Sequence, residues 1–303
     1  MKLPDTVRIE AGQGGLRRVV VGGKLAEAKI YMLGAHVTHF QPHGQKPLLF
    51  MSGKSLFEPG KAIRGGVPIC FPWFGARQDG QPGPIHGFAR VQEWELTGAE
   101  TASDGTVGLG FRLVSNEATR KEWDGDFEMN YRVKIGTALG MELQVRNTSS
   151  KPIRIEEALH TYLAVSDVRQ ISIEGLAGTT YSDRVGPSPR QSGSVHAGGT
   201  PHTETEGAAP IRITAETDRI YMNTRSTCVV HDPGWKRRLV VEKTGSDATV
   251  VWNPWIAKAK AMPDFGDDEW PAMLCIETCN ARDNAVTIAP GQSHTMGAVI
   301  RAE

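Results

Sequence analysis

The sequence has 303 residues, and its 34 lysines and arginines balance its 34 aspartates and glutamates. Since no net charge remains to attract nucleic acid or an anionic membrane surface, we expect neither as a partner. No apolar run approaches the ~20 residues of a membrane-spanning helix, and no apolar leader opens the chain, so we expect a cytoplasmic protein that does not enter a membrane.

Period-two alternation of apolar and polar residues predicts most of the secondary structure. It predicts a strand at 109–113, and a short helix is predicted next at 115–123. A cleaner alternation through 127–135, a turn containing glycine and a return through 139–145 predict a hairpin with one buried face.

The C-terminal part of the chain carries further strand patterns. We predict a strand pair from 238–243 and 248–252, joined by the turn Thr-Gly-Ser-Asp, and the last strands at 273–278 and 294–301. No segment with helical periodicity exceeds about two turns. Many strands with short turns indicate an all-β sandwich or barrel.

One domain over 1–303 is predicted, because no break in composition marks a second one. The exception is a polar tract at 187–210, rich in Gly, Pro, Ser and Thr. It reads as a surface loop or as an insertion with one irregular strand. Four cysteines, at 70, 228, 275 and 279, match no zinc or redox spacing. We therefore expect reduced thiols and no metal site.

Two loops rich in Gly and Pro carry the candidate anion-binding residues. Arg64 precedes two glycines and a stiff aromatic segment that ends at residue 75, which suits either a buried turn or an apolar surface for a sugar. The loop 81–90 presents His86 and Arg90. Two guanidinium groups on stiff loops could clamp a phosphate. Alternatively, each arginine pairs with a carboxylate such as Glu93 or Asp79.

Two residues are candidates for proton transfer. If 152–165 is a strand, His160 points away from its most apolar face, either as a hydrogen-bonded structural residue or as a catalyst. Glu277 lies in the nearly apolar run 273–279. Burial there would raise the pKa of its carboxyl group, which suits a general base. The alternative is a buried glutamate that backbone donors satisfy.

Taken together, several segments resemble the aldose 1-epimerase superfamily, and in particular its hexose-6-phosphate mutarotase branch. They occur in the family's order and span most of the chain, at 63–68, 71–75, 86–90, 159–163, 217–221, 251–255 and 275–278. The resemblance implies the galactose-mutarotase-like fold, a large antiparallel β-sandwich (a supersandwich) with a saddle-shaped sugar cleft. It also implies a monomer that needs no organic cofactor.

The resemblance also assigns roles to the chemistry-bearing residues. His160 matches the family's general acid and Glu277 its general base. Asp218 matches a carboxylate that binds sugar hydroxyls. The other matches are to substrate-binding positions: Arg64 and Arg90 to those that bind the substrate and its phosphate, and His86 to a histidine near the sugar ring.

The expected function is therefore interconversion of the α and β anomers of a hexose 6-phosphate, with glucose 6-phosphate as the first candidate. One departure is Ile85, where some relatives carry a glutamine that contacts the substrate. Two alternatives stay open: the same chemistry on free aldoses such as galactose or glucose, and a non-catalytic carbohydrate-binding sandwich. Arg90 and the 251–255 motif favour the phosphorylated substrate, and the His160 and Glu277 pair favours catalysis.

Overall fold

The structure, a computed structural model, describes residues 2–185 and 202–303. Its first half contains strands β1 (Val7–Ala11), β2 (Arg17–Gly22), β3 (Ala26–Tyr31), β4 (His36–Pro42), β5 (Ile69–Cys70), β6 (Glu95–Thr101), β7 (Val107–Val114), β8 (Phe127–Ile135), β9 (Leu139–Asn147), β10 (Ile153–Ile155), β11 (Glu157–Leu159) and β12 (Tyr162–Ala164), with helix α1 (Glu117–Glu122) before β8.

The rest of the described chain adds β13 (Ser172–Glu174), β14 (Thr180–Asp183), β15 (His202–Thr205), β16 (Thr217–Met222), β17 (Cys228–Asp232), β18 (Arg237–Thr244), β19 (Ala248–Asn253), β20 (Met273–Asn280), β21 (Val286–Ile288) and β22 (Ser293–Ala302). Helix α2 (Trp255–Ala261) follows β19. The predicted all-β class is confirmed. No helix in the described residues is long and apolar enough to cross a membrane.

Two large antiparallel sheets form the sandwich. One has the order β13-β17-β18-β22-β9-β8-β7-β6, and the other has the order β15-β14-β16-β19-β20-β11-β5, with β12 also paired to β20. A smaller sheet contains β1 to β4. Side chains from all three sheets, including Val21, Val133 and Ile276, belong to one hydrophobic cluster.

The alternating patterns were read correctly where one strand face is buried. In β8 and β9 the odd-numbered residues are buried and the even-numbered residues are more exposed, and the two strands pair from Phe127 with Asn147 to Ile135 with Leu139. Helix α1 begins after Asn116, whose side chain accepts a hydrogen bond from the Thr119 amide. The predicted hairpin and short helix are therefore confirmed.

The predicted pairing of the strands around 244–247 is wrong, although both strands exist. β18 pairs with β17 and β22, whereas β19 pairs with β16 and β20 in the opposite sheet. All six residues of β19 are buried, so this strand has to lie inside a sheet with both faces covered. The short turn between them therefore carries the chain from one sheet to the other.

The segment 152–165 is also not one continuous strand. It is divided among β10, β11 and β12, and His160 lies in the gap between the last two. There the His160 amide donates to Pro68 O at 3.0 Å, and the Tyr162 amide donates to Gly66 O at 2.9 Å. These bonds replace regular pairing and fix His160 beside the aromatic loop that follows Arg64.

The two glycines after Arg64 serve chain packing. A Cβ on Gly65 would lie 2.6 Å from Phe50 O, and a Cβ on Gly66 would lie 2.2 Å from Val37 O. Both glycines also have positive φ. Their close approach is therefore to other backbone, which confirms the buried-turn interpretation. Of the tract 187–210, residues 187–201 lie outside the described residues, and β15 pairs with β14.

Candidate active site

The two predicted proton-transfer residues meet in the interior. Glu277 lies in the middle of β20, where all eight residues are buried. Its Oε1 is 3.3 Å from His160 Nε2, and its Oε2 is buried without a hydrogen-bond partner. Backbone donors in the described chain do not satisfy this carboxylate. Oε2 therefore keeps its capacity to accept a hydrogen bond.

Aromatic and sulfur contacts fix the His160 ring. The ring stacks on Tyr162 with centroids 4.8 Å apart and an interplanar angle of 14°. Trp252 meets it edge-on at 6.1 Å, and Cys275 Sγ lies 3.7 Å from Nδ1. The imidazole is therefore held with Nε2 directed at Glu277.

Burial shifts both groups of the pair away from their charged forms. It raises the pKa of Glu277 well above its ordinary value, and the negative charge of Asp218 adds to this effect. Burial likewise lowers the pKa of His160 well below its usual range, helped by the charges of Arg90 and Arg64. These shifts favour the neutral carboxyl group of Glu277 and the neutral imidazole of His160.

His86 forms the next wall of the site. Its ring meets the His160 ring edge-on at 5.3 Å, and its Nδ1 accepts a hydrogen bond from the Gly75 amide at 3.1 Å. Burial and the charge of Arg90 lower the pKa of His86 well below the usual value. Since Nδ1 is an acceptor, the neutral ring carries its proton on Nε2 and presents a donor.

Arg64 and Arg90 differ in how their charges are compensated. Arg64 Nε and Nη2 donate to Asp264 Oδ2 at 3.1 and 3.0 Å, and Nη1 donates to the Tyr162 hydroxyl at 3.0 Å. Carboxylate pairing, the alternative raised from the sequence, is thus correct for Arg64, although the partner is Asp264. The carboxylates suggested there pair elsewhere, Glu93 with Arg17 and Asp79 with Arg77.

Arg90 has no carboxylate within 4 Å in the part of the chain that the structure describes. Its Nη2 donates to Ile85 O at 2.6 Å, and its Nε is buried without a partner. Burial lowers the pKa of Arg90, and nearby Arg64 acts in the same direction. A guanidinium without a counter-ion in a desolvated place is costly, so its position favours an anionic ligand.

Asp218 faces the site from β16, which neighbours β19. Its charge reaches Glu277, as the pKa of that carboxyl group shows. Arg184 Nε lies 4.0 Å from Asp218 Oδ2. The sequence analysis missed Arg184, because it stands in no motif and comes near the other residues only through the pairing of β14 with β16.

The buried carboxylate of Glu156 supports the loop that contains Phe74, a neighbour of His86. Glu156 accepts hydrogen bonds from the Phe74 amide at 2.8 Å and from the Arg282 amide at 2.7 Å. Phe74 in turn packs edge-on against His86 at 4.7 Å. The sequence analysis gave Glu156 no role, although a carboxylate in an apolar segment, the signal that singled out Glu277, is present there too.

Donor atoms of His160, Cys275 and Glu277 lie within 4.8 Å of one another, close enough to suggest a metal. However, the thiol faces Nδ1 and the carboxylate faces Nε2. One ion can bind only one of these ring nitrogens, so the three donors do not converge on a common point. All four cysteines are free and buried, as predicted for reduced thiols.

Contacts and charge effects thus link all of the predicted site residues. The comparison with known families agrees with this site, since the aldose 1-epimerase family model matches residues 18–301. The chain belongs to the aldose 1-epimerase family. The predictions of this family, of its fold and of an epimerase are therefore confirmed.

Named relatives extend the comparison. A Cenchrus ciliaris protein, "Putative glucose-6-phosphate 1-epimerase", is 35% identical over 92% of this chain and 82% of its own. A Salmonella typhimurium protein of the same name is 35% identical over 87% and 83%.

The solved structures agree. A crystal structure of a "putative mutarotase" from Salmonella typhimurium has a TM-score of 0.86 and 30% identity, covering 99% of this chain and 95% of that one. A galactose mutarotase-like protein from Clostridium acetobutylicum has a TM-score of 0.72 at 14% identity, over 98% of both chains, which shows the shared fold.

Proposed function

We propose that this epimerase interconverts the α and β anomers of a hexose 6-phosphate, with glucose 6-phosphate as the first candidate. The observation that carries the proposal is the buried His160–Glu277 pair, whose atoms lie 3.3 Å apart. Anomerisation requires one group that removes a proton from the C1 hydroxyl and another that protonates the ring oxygen. An acid and a base on one site supply both transfers without a covalent intermediate.

In the ring-opening step, Glu277 accepts the proton of the C1 hydroxyl through Oε2, the oxygen without a partner. Protonated His160 donates to the ring oxygen. The form with a Glu277 carboxylate and a His160 imidazolium holds as many protons as the form in which both groups are neutral. In the charged form, the adjacent carboxylate stabilises the imidazolium against the effect of burial. After rotation about C1–C2, the two residues exchange roles and the ring closes on the other face.

Arg90 supports the choice of a phosphorylated substrate over a free aldose. Its guanidinium group lacks a carboxylate partner in the described residues, whereas Arg64 beside it is neutralised by Asp264. One positive charge therefore remains to be matched, which a phosphate group would do. The names of the plant and bacterial relatives point to the same substrate.

We also propose that the chain is a single domain, monomeric and cytoplasmic, and that it needs no organic cofactor. Side chains of three sheets share one hydrophobic cluster, which supports one domain. The four buried thiols suit a reducing compartment. The other class, a non-catalytic carbohydrate-binding sandwich, gives no reason to bury an acid and a base beside each other.

Two-dimensional exchange NMR on glucose 6-phosphate at anomeric equilibrium tests the proposal. We expect protein-dependent exchange between the α and β signals, with little or none for free glucose. Exchange on glucose but not on the phosphate would assign the protein to free aldoses. Folded protein that catalyses exchange of neither sugar would contradict the proposed chemistry.

A further inference from the structure

Arg184 is a guanidinium group at the site for which the resemblance gives no role. About a third of its side chain is exposed (34%), and it makes no side-chain hydrogen bond within residues 2–185 and 202–303. The nearest charge is Asp218, whose Oδ2 is 4.0 Å from Arg184 Nε. The Arg184 amide donates to Asp218 O at 2.9 Å, which keeps the two residues side by side.

The guanidinium also lies against the His86 wall. A Cβ on Gly75 would be 3.6 Å from both Nη1 and Nη2 of Arg184, and the Gly75 amide donates to His86 Nδ1. The charge of Arg184 acts on the pKa of both His86 and Glu277. Arg184 therefore lies beside the wall formed by His86 and within electrostatic range of Glu277.

The net charge around Arg184 differs from the net charge around Arg90. Arg90 and Arg64 carry two positive charges against one from Asp264, so a positive charge remains there. The charges of Arg184 and Asp218 cancel, as do those of Glu156 and Arg282, whose guanidinium also lies near Gly75. A neutral place is a weaker site for a phosphate than a positively charged one.

A neutral pair of this kind suits hydroxyl groups instead. Each sugar hydroxyl both donates and accepts, a guanidinium only donates and a carboxylate only accepts. Two adjacent hydroxyls can therefore bridge a guanidinium and a carboxylate that lie near each other but are not themselves hydrogen-bonded. At 4.0 Å the Arg184 donors and the Asp218 acceptors are not satisfied by each other, and neither side chain has another hydrogen bond among the described residues.

We propose that Arg184 and Asp218 together bind two neighbouring hydroxyl groups of the pyranose, so that Arg184 is a determinant of sugar stereochemistry. This inference rests on the proposed function, because it takes a hexose 6-phosphate as the ligand. In this arrangement Arg90 binds the phosphate at one end of the site, and Arg184 binds the sugar hydroxyl groups at the other.

The test measures binding by calorimetry, using 1,5-anhydroglucitol 6-phosphate, which cannot mutarotate, and its analogues that lack O2, O3 or O4. For Arg184→Gln we expect the Kd of the parent ligand to rise roughly 10- to 100-fold, as for loss of a charged hydrogen bond. For an analogue that lacks the contacted hydroxyl, the same substitution should change the Kd less than about threefold. Arg184→Lys should restore part of the affinity.

Three results would overturn the inference. In the first, Arg184→Gln lowers the affinity for every deoxy analogue by the same factor. In the second, Arg184→Gln lowers the affinity for the 6-phosphate but not for 1,5-anhydroglucitol, which lacks the phosphate. In the third, the wild type binds none of these ligands. Arg225→Gln, at an 80% exposed side chain paired with Asp247, is the control variant and should leave every Kd unchanged. If the wild type binds these ligands with the expected dependence on Arg184 and on the contacted hydroxyl but catalyses no anomer exchange, the proposed function is refuted and the inference still holds.

Discussion

Two histidine–glutamate pairs lie at β20, one containing Glu277 within the strand and the other hydrogen-bonded to Asn280 at its end, and they have opposite properties. His160 and Glu277 are 3.3 Å apart, and burial lowers the pKa of this histidine. His294 and Glu157 are 2.9 Å apart, and the hydrogen bond to Glu157 raises the pKa of that histidine. The same two residue types therefore form a pair whose neutral forms are favoured at Glu277 and an ion pair at Glu157.

The surroundings explain the difference. Arginine charges act on His160 and oppose its protonation, and its side chain is only 8% exposed. The His294 side chain is 23% exposed, and the nearby charge of Asp247 favours its protonation. Asn280 also donates to Glu157 Oε1 at 3.0 Å. A histidine–glutamate contact alone thus does not mark a candidate catalytic site, and the charges around the pair have to be considered as well.

The largest expected effect comes from breaking the His160–Glu277 pair. Glu277→Gln and His160→Ala should each lower the rate of anomer exchange by ~10²- to 10⁴-fold, because each removes one proton transfer. Exchange NMR gives the rate, and circular dichroism checks the fold. Either variant with a native spectrum and an unchanged rate would remove that residue from the mechanism.

An intermediate effect is expected at Arg90, one of the charges that distinguish the two pairs. Arg90→Gln should raise the KM for glucose 6-phosphate roughly 10- to 100-fold, by loss of a charged hydrogen bond to phosphate. Its Tm should change little, because loss of the hydrogen bond to Ile85 O is offset by removal of a buried positive charge that has no carboxylate partner in the described residues. A lower Tm together with an unchanged KM would show that Arg90 is structural.

The smallest effect concerns the His294–Glu157 pair. The pKa of His294 is raised above 6.5 in the folded protein, so its ion pair stabilises the fold below that pH, and the contribution is lost as the pH rises through the folded pKa. His294→Gln should therefore lower the free energy of unfolding by about 1 kcal/mol at pH 6 and by less at pH 9. Denaturant titrations at both pH values measure this.

The rate of anomer exchange should be the same in His294→Gln and in the wild type. A loss that is equal at both pH values would mean that packing of the ring, not its charge, stabilises the fold. A large loss of exchange activity would show that the two pairs are coupled through β20.

Local patterns predicted those parts of the fold that depend on local residues. The alternation in 127–135 and 139–145 defines a hairpin because one face of each strand is buried, and neighbouring segments pair. The pairing of 238–243 with 248–252 could not be obtained in this way. β19 is buried on both faces, so its sequence carries no alternation that would show which sheet it joins.

In the candidate site, too, some residues could be predicted from the sequence and others could not. Glu277 stood out as a carboxylate in an apolar run, and the family resemblance supplied the match to His160. The sequence had no signal for Arg184, which reaches Asp218 through the pairing of β14 with β16. Nor could it show that Arg64 is neutralised while Arg90 is not, since Asp264 is 200 positions from Arg64.

The complete burial of β20 has a consequence for the timescale on which the site can rearrange. Amides in a strand covered on both faces and paired on both edges open only when a large part of the domain unfolds. Glu277 is therefore carried on a segment whose hydrogen exchange should be among the slowest in the protein. Arg184 follows β14, which lies one strand from the edge of the same sheet. The residue proposed to transfer the proton is thus anchored far more firmly than the one proposed to bind the sugar hydroxyls. Substrate preference can therefore change by mutation while the chemistry is retained.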